Sequence, residues 1–357
     1  MLEKNIEFSK KFLFINLSLI VGFTFQNIGY FLPNIANKPF RTFIDGMSEW
    51  INVNYFEFGF IRRAFIGTFL SFLNNSALRE LIYIIITLLI IFTTLYIIFR
   101  RFFEFDRVFY NFVIVLFTLS PLGAIQIGYT FGRFEHINFL IIILAINMIE
   151  KNKYLFASLA LLCGILIHEA FFIYGLPLVF MYALEKFKNF DIKKLSILFI
   201  PAILITIFLA FFGNSEKALL MSAVGAKRGF FITRSLVDSD IAIFFYVYLI
   251  IVNHIYILRR LELQFNLIDL TPYCSLSLFF FGIDFARWIG ILFFIVILSI
   301  YTRLKNVKPY KDYKFNFNAS YICLAFPLLG PIGVIYAYPI ITNFFQLINK
   351  FSLLTIA

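Results

Sequence analysis

Residues 81–99 read LIYIIITLLIIFTTLYIIF, a run without a charged side chain that lies between Glu80 and Arg100. A bilayer core needs about 20 consecutive apolar residues per helix, so this run predicts a helix that crosses a membrane. Similar runs recur from residue 12 almost to the end of the 357-residue chain, of which 61% is hydrophobic and 14% charged. A water-soluble fold cannot bury that share of apolar side chains. The sequence therefore predicts an integral membrane protein.

Short charged clusters end the apolar runs and define the expected topology. With the N-terminus in the cytoplasm, we expect one all-α domain over residues 1–357, a polytopic transmembrane helix bundle with about 10–12 membrane segments. Outer loops are expected at 33–80, with an interfacial or re-entrant helix at Ala64–Leu73, and at 214–240. Charge interrupts the two longest runs, and each of these should form a hairpin with short arms. The expected membrane segments are 12–32, 81–99, 108–127, 134–149, 154–184, 195–212, 241–258, 272–302 and 319–348.

The basic residues differ in kind between the two sides of this topology. The inner segments hold 13 lysines and 6 arginines, whereas the outer segments hold 3 lysines and 8 arginines. Membrane orientation requires positive charge of either kind, but phosphate recognition favours the planar guanidinium group. The outer arginines are therefore candidates for binding an anion. Because the net charge of +11 is divided between the two membrane faces, we infer no nucleic-acid partner.

Metal and cofactor sites are not predicted. Cys163, Cys274 and Cys323 all lie in apolar runs, where a free cysteine behaves as a small hydrophobic residue. The outer side offers only two histidines, although divalent ions bound by carboxylates stay an alternative. The sequence contains no glycine-rich phosphate loop of the Walker or dinucleotide kind, so we expect no nucleotide cofactor.

Two polar clusters lie in the expected outer connections. The first combines Asp45 and nearby glutamates with the adjacent Arg62 and Arg63, which either grip a phosphate or anchor an interfacial helix by ordinary snorkelling. The second, residues 132–136, combines Arg133, Glu135 and His136 within four positions. A connecting turn is polar in any case, so a structural and a functional interpretation are both open.

Two further clusters interrupt the long apolar runs. His168 and Glu169 lie inside one, and an ionisable pair there costs free energy unless it faces a partner or water. Only one of the two can point towards a shared site unless the helix breaks at that place. Asp284 and Arg287 interrupt the other run and, at i and i+3, can also form a simple salt bridge. We expect His168 and Glu169 to share an outer cavity with the arginines at 133 and 287.

Together these motifs resemble those of a known family. The outer Gly-Phe-x-Arg-Arg-x-x-x-Gly at 59–67, the Gly-Arg-x-x-His at 132–136, the His168-Glu169 pair and the Asp-x-x-Arg-Trp at 284–288 resemble Wzy-type polymerases of bacterial O-antigen and capsule repeat units. These enzymes are similar in architecture to the wider group of lipid-linked sugar glycosyltransferases, the GT-C-like enzymes. The candidate outer loop at 214–240 is shorter than the long periplasmic loop of that class.

The resemblance implies glycosyl transfer on the outer face of the bacterial inner membrane, from a polyprenyl-diphosphate-linked oligosaccharide to an acceptor glycan. It implies membrane lipids and a chain-length regulator protein as further partners. The diphosphate leaving group needs cations, and an acceptor hydroxyl needs a base. As catalytic residues we expect Glu169, His168, Glu135 and Asp45, and as residues that bind diphosphate or substrate Arg62, Arg63, Arg133, His136, Asp284 and Arg287.

Two other functions fit the same sequence. Short, broken helices with ionisable residues also suit a transporter or flippase for a lipid-linked or anionic solute. A membrane acyltransferase that decorates a polysaccharide would use a catalytic histidine near its acyl donor. Loss of polymer length, rather than loss of a substituent, distinguishes the polymerase from the acyltransferase.

Overall fold

The structure is a computed structural model that describes residues 2–31, 50–120, 122–187, 190–212, 241–280 and 285–306. Within these ranges every regular element is a helix, and none is a strand. The all-α prediction is thus confirmed for the described part of the chain. Asp45, Asp284, the expected loop at 214–240 and the expected segment at 319–348 lie outside it.

The helices vary widely in length, from one turn to 30 residues. Two 3-10 helices cover Trp50–Asn52 and Thr271–Phe280. The α-helices are α1 (Leu2–Phe31), α2 (Tyr55–Phe58), α3 (Ala64–Leu70), α4 (Ser76–Phe105), α5 (Arg107–Leu119), α6 (Ala124–Tyr129), α7 (Glu135–Glu150), α8 (Tyr154–Ile167), α9 (Phe171–Tyr174), α10 (Leu176–Lys186), α11 (Ile192–Phe212), α12 (Ile241–Arg260), α13 (Leu267–Leu270) and α14 (Phe285–Asn306).

Three helices in the described ranges are long and apolar enough to cross a membrane. They comprise Ser76–Phe105, Ile192–Phe211 and Arg287–Lys305, with mean hydropathies of 2.7, 2.4 and 1.7 over their most apolar windows. The first contains the quoted run 81–99, and the second contains most of the expected segment 195–212. These helices are consistent with a membrane protein.

One expected membrane segment, 108–127, is interrupted. Helix α5 ends at Leu119, and α6 begins only at Ala124. The chain folds tightly back on α5 here, because a Cβ atom on Gly123 would lie 2.0 Å from the carbonyl oxygen of Phe117. The mean hydropathy of the run does not indicate this break, because Ser120 and Gly123 change the average only slightly.

The residues divide into two compact units, and the first comprises 1–28, 96–130 and 230–357. In this unit the buried Phe8 ring packs against Tyr96, Phe103 and Tyr110. Helix α14 packs against α12, α13, α6 and the 3-10 helix Thr271–Phe280. Where the structure describes it, the second expected hairpin, 272–302, comprises residues of a 10-residue 3-10 helix and of the 22-residue α14. Its second arm is longer than the sequence suggested.

The second unit comprises residues 29–95 and 131–229. Helix α8 packs against α7 and α11, while α10 packs against α7. The Tyr182 hydroxyl donates to Glu150 Oε1 at 3.0 Å, and Asn138 Nδ2 donates to the Tyr174 oxygen at 2.8 Å. The first bond joins α7 to α10 and the second joins α7 to α9, so α9 and α10 lie along α7 and the chain reverses its direction after α8. With 14 residues, α8 is about 21 Å long, shorter than the roughly 30 Å bilayer core.

The expected topology predicts opposite membrane sides for Asn74 and Asn152. Both are exposed; Asn74 precedes α4, and Asn152 lies in the turn between α7 and α8. In a variant without native cysteines, a membrane-impermeant maleimide added to intact spheroplasts should label Asn74→Cys, and should label Asn152→Cys only after permeabilisation. Labelling of both from the same side would contradict the topology.

Candidate functional site

The segment around Arg62 and Arg63 is a folded loop with a small apolar core. Val53, Ile61 and Ala64 are buried together there, with Tyr55 and Phe58 packed against them. Helix α3 approaches the preceding chain so closely that a Cβ atom on Gly67 would lie 1.9 Å from the Val53 carbonyl oxygen. The last glycine of the Gly-Phe-x-Arg-Arg-x-x-x-Gly motif is therefore required by packing.

A third arginine, Arg79, stabilises the end of this loop by hydrogen bonds. Its guanidinium group donates to the carbonyl oxygen of Leu73 at 2.6 Å and to Asn52 Oδ1 at 3.1 Å. The sequence marks Arg79 only as one of the outer arginines. The contacts give this side chain a structural role, so the outer arginines are not all equivalent candidates for an anion site.

Arg63 adopts a backbone conformation that is rare for a residue with a side chain. Its φ of 63° and ψ of 3° lie in the left-handed region, where it caps the start of α3. Such a conformation costs about 1–3 kcal/mol and persists where surrounding contacts compensate for it. It turns Arg63 towards Trp50, whose ring centre lies 5.3 Å from the guanidinium carbon. The side chains of Arg62 and Arg63 therefore lie in different surroundings, although the two residues are adjacent in sequence.

The ionisable pair of the long apolar run lies where a helix ends. Helix α8 stops at Ile167, and His168 has extended backbone angles, with φ −154° and ψ 116°. The Ala170 amide donates to His168 Nδ1 at 3.1 Å. Nδ1 is therefore an acceptor, and a neutral imidazole carries its proton on Nε2. The break lets His168 and Glu169 join one cluster, which a continuous helix would prevent because its adjacent residues point about 100° apart.

Glu169 binds Arg63 through both carboxylate oxygens. Arg63 Nε donates to Oε2 at 2.9 Å, and Nη2 donates to Oε1. Arg62 is more remote, with Nη1 at 3.9 Å from Oε1. The side chains of Arg63 and Glu169 are 28% and 26% exposed, whereas that of Arg62 is 46% exposed. Arg63 is therefore the principal partner of Glu169, and Arg62 is the more accessible cation.

The ion pair keeps both groups charged. The Arg63 guanidinium donates to both carboxylate oxygens of Glu169, and this contact favours the ionised carboxylate. Burial by itself lowers the pKa of Arg63, but Glu169, and to a smaller degree Glu135 and Tyr174, raise it above its usual value. A carboxylate held in this way is a weak base, since protonation would break its pairing with the guanidinium group.

A second carboxylate joins the cluster through His168. Glu135 Oε1 lies 3.5 Å from His168 Nε2, and His168 Nδ1 lies 3.9 Å from Glu169 Oε2. Glu135 and His168 are only 3% and 4% exposed. The imidazole therefore lies between two carboxylates, and the order Arg63–Glu169–His168–Glu135 connects three segments that are far apart in sequence.

The turn that presents Glu135 is held from α4. The Tyr83 hydroxyl donates to the carbonyl oxygen of Gly132 at 2.5 Å, and the Tyr83 ring packs edge-on against Phe134. Gly132 has φ 85°, a conformation that favours glycine. Arg133 is partly buried, and the adjacent His136 is buried. Tyr83, Trp50 and Tyr174 were not singled out from the sequence, because large aromatic residues are abundant throughout the chain.

Three further expected site residues lie outside the unit or outside the ranges in which this cluster is described. Arg287 belongs to the first unit, where its guanidinium carbon lies 4.2 Å from the centre of the Trp288 ring. Asp284 and Asp45 lie outside the ranges that the structure describes. The cavity that we expected Arg287 to share with His168 and Glu169 therefore stays a prediction. In the described ranges no group of three or more His, Cys, Asp or Glu residues is arranged to hold a metal ion.

Comparisons with known proteins provide no identification. No family model, no curated protein and no solved structure matches the chain.

The geometry predicts different consequences for replacing the two adjacent arginines. Arg63→Lys loses the two-point contact with Glu169 and should destabilise the protein by about 1.5–3 kcal/mol, the usual worth of a hydrogen bond to a charged group. Arg62→Lys, the matched control, should change stability little because its contact is long and half exposed. Thermal unfolding of the detergent-solubilised variants would measure both effects. Equal melting temperatures for the two variants would contradict the assigned pairing.

Proposed function

We propose that the protein is a multi-pass glycosyltransferase of the bacterial inner membrane, with a cytoplasmic N-terminus and an outward-facing active site. It transfers a glycosyl group from a polyprenyl-diphosphate-linked oligosaccharide to an acceptor glycan and so polymerises a polysaccharide. The observation that supports this proposal best is one cluster that combines a buried carboxylate–imidazole pair, Glu135 and His168, with the arginines 62 and 63.

The cluster offers the two kinds of group that this reaction needs. A bond forms between the acceptor oxygen and the anomeric carbon of the donor, and the bond from that carbon to the diphosphate oxygen breaks. The hydroxyl proton passes to a base, and the polyprenyl diphosphate leaves with the electron pair. Guanidinium groups stabilise the charge that develops on the diphosphate, and a positioned side chain accepts the proton. The donor is already activated, so the step consumes no nucleotide.

Within the cluster, the Glu135–His168 pair suits proton transfer better than Glu169 does. The carboxylate of Glu169 is held by Arg63 in a two-point ion pair that protonation would break, so Glu169 is a weak base. Glu135 faces an imidazole, which can orient a carboxylate and share a proton with it. We therefore assign proton acceptance to Glu135 with His168, and we assign to Glu169 the positioning of Arg63.

A transporter or flippase is the second candidate. The observation that favours it is the interruption of the chain between the 14-residue α8 and the 11-residue α10, next to an ion pair. Discontinuous helices around charged groups are common in transporters, where they bind the substrate near the middle of the membrane. A transporter moves the lipid-linked sugar without forming a glycosidic bond, so the length of the product distinguishes the two functions.

Glu135→Gln should abolish polymer without removing the protein from the membrane, because the amide cannot take up the proton of the attacking hydroxyl group. A ladder gel of surface glycan from a deletion strain carrying the variant should show lipid capped with a single repeat unit.

Glu104→Gln is the matched control, since it neutralises a carboxylate that forms an exposed ion pair with Arg100. This variant should give a normal ladder. Normal chain length in Glu135→Gln, at an equal protein level, would contradict the proposed reaction. Complete loss of surface glycan, including single units, would favour transport.

A further inference from the structure

We propose that the adjacent arginines have separate roles, Arg62 as the anchor for the diphosphate of an isoprenoid lipid and Arg63 as an internal partner of Glu169. The inference rests on the proposed function only for the identity of the lipid. The chemistry that Arg62 recognises is a diphosphate head on an apolar chain.

The first argument concerns which guanidinium group can bind an added anion. Arg63 already uses two of its donors for Glu169, and its cation lies 5.3 Å from the centre of the Trp50 ring. Arg62 approaches the same carboxylate only to 3.9 Å, and nearly half of its side chain is exposed. An anion that binds Arg63 must compete with a two-point ion pair, whereas one that binds Arg62 loses only a weak contact.

The second argument concerns where Arg62 lies. Phe60, two residues before it, packs edge-on against Phe208 with ring centres 5.3 Å apart. Phe208 belongs to α11, one of the helices able to cross a membrane, and lies near its C-terminal end. The loop that carries Arg62 is therefore attached to the end of a helix whose surface is largely apolar and exposed. The exposed residues on α11 include Ile200, Ile203, Leu204, Ile207 and Phe211.

Together these features match a lipid diphosphate. A head group bound at Arg62 leaves its isoprenoid chain beside the exposed apolar side chains of α11, where burial of hydrocarbon contributes to binding. The loop itself exposes Phe56, Phe69 and Phe72, which add further apolar surface. A free diphosphate would use only the cationic part of this site, so it should bind more weakly than the lipid form.

Glu169 should oppose binding of the diphosphate. Its negative charge lies 3.9 Å from Arg62 and occupies Arg63. Replacing it by glutamine removes one charge that repels the diphosphate and releases Arg63 from its ion pair. Glu169→Gln should therefore bind the diphosphate more tightly, even though it disturbs the proposed catalytic arrangement.

The test is a scintillation proximity assay with radiolabelled farnesyl diphosphate and the purified full-length chain in detergent. The wild type should show saturable binding. Arg62→Ala should weaken it by about tenfold or more, the effect of losing one charge-assisted contact. Glu169→Gln should bind several-fold more tightly, and Arg100→Ala, the matched control, should bind as the wild type does. Inorganic pyrophosphate should compete weakly, whereas farnesol, which lacks the anionic head, should compete even less.

Two results would overturn the inference: no saturable binding by the wild type, or unchanged affinity in Arg62→Ala. Weaker binding by Glu169→Gln would also overturn it, because Glu169 would then support the anion site. These outcomes are independent of the polymer ladder. If Arg62→Ala loses binding while Glu135→Gln makes normal polymer, the diphosphate site at Arg62 is supported and glycosyl transfer by this cluster is contradicted. If Glu135→Gln makes only single repeat units while Arg62→Ala binds the diphosphate normally, only the role of Arg62 is contradicted.

Discussion

The ion pair between Arg63 and Glu169 is the contact on which the candidate site depends. It joins the loop that carries Arg62 and Arg63 to the break after α8 across 106 positions of sequence, and it uses both carboxylate oxygens. The unusual backbone of Arg63 and the end of α8 at Ile167 both serve this contact. A partly buried charge needs a close partner of opposite charge. Each of the two residues therefore lowers the free-energy cost of burying the other.

The pair also separates the chemistry of neighbouring residues. Arg62 and Arg63 differ in exposure and in distance to Glu169, while His168 and Glu169 contact opposite parts of the cluster. One ion pair thus leaves an accessible cation on one side and a buried carboxylate–imidazole pair on the other. That arrangement suits a reaction in which a diphosphate leaves while a hydroxyl loses its proton.

Local features of the fold could be predicted from the sequence, whereas its long-range contacts could not. The run 81–99 lies within a helix long enough to cross a membrane, and the charged pair at 168–169 marks a helix break. Hydropathy failed at 108–127, where a tight return at Gly123 leaves mean hydropathy almost unchanged. The contact of Glu169 with Arg63, and that of His168 with Glu135, had no local signal, because charge patterns do not specify partners that are distant in the sequence. Tyr83 and Trp50 were hidden among many aromatic residues.

The most direct test of glycosyl transfer by this chain is reconstitution of the purified protein in liposomes with a polyprenyl-diphosphate-linked repeat unit and no nucleotide. Mass spectrometry would follow the lipid-linked glycan and the free polyprenyl diphosphate over time. The proposed function predicts lipids that carry two or more repeat units, with one free polyprenyl diphosphate released for each new linkage. Movement of the intact lipid-linked unit across the bilayer, without longer glycans or released diphosphate, would contradict it and identify a flippase.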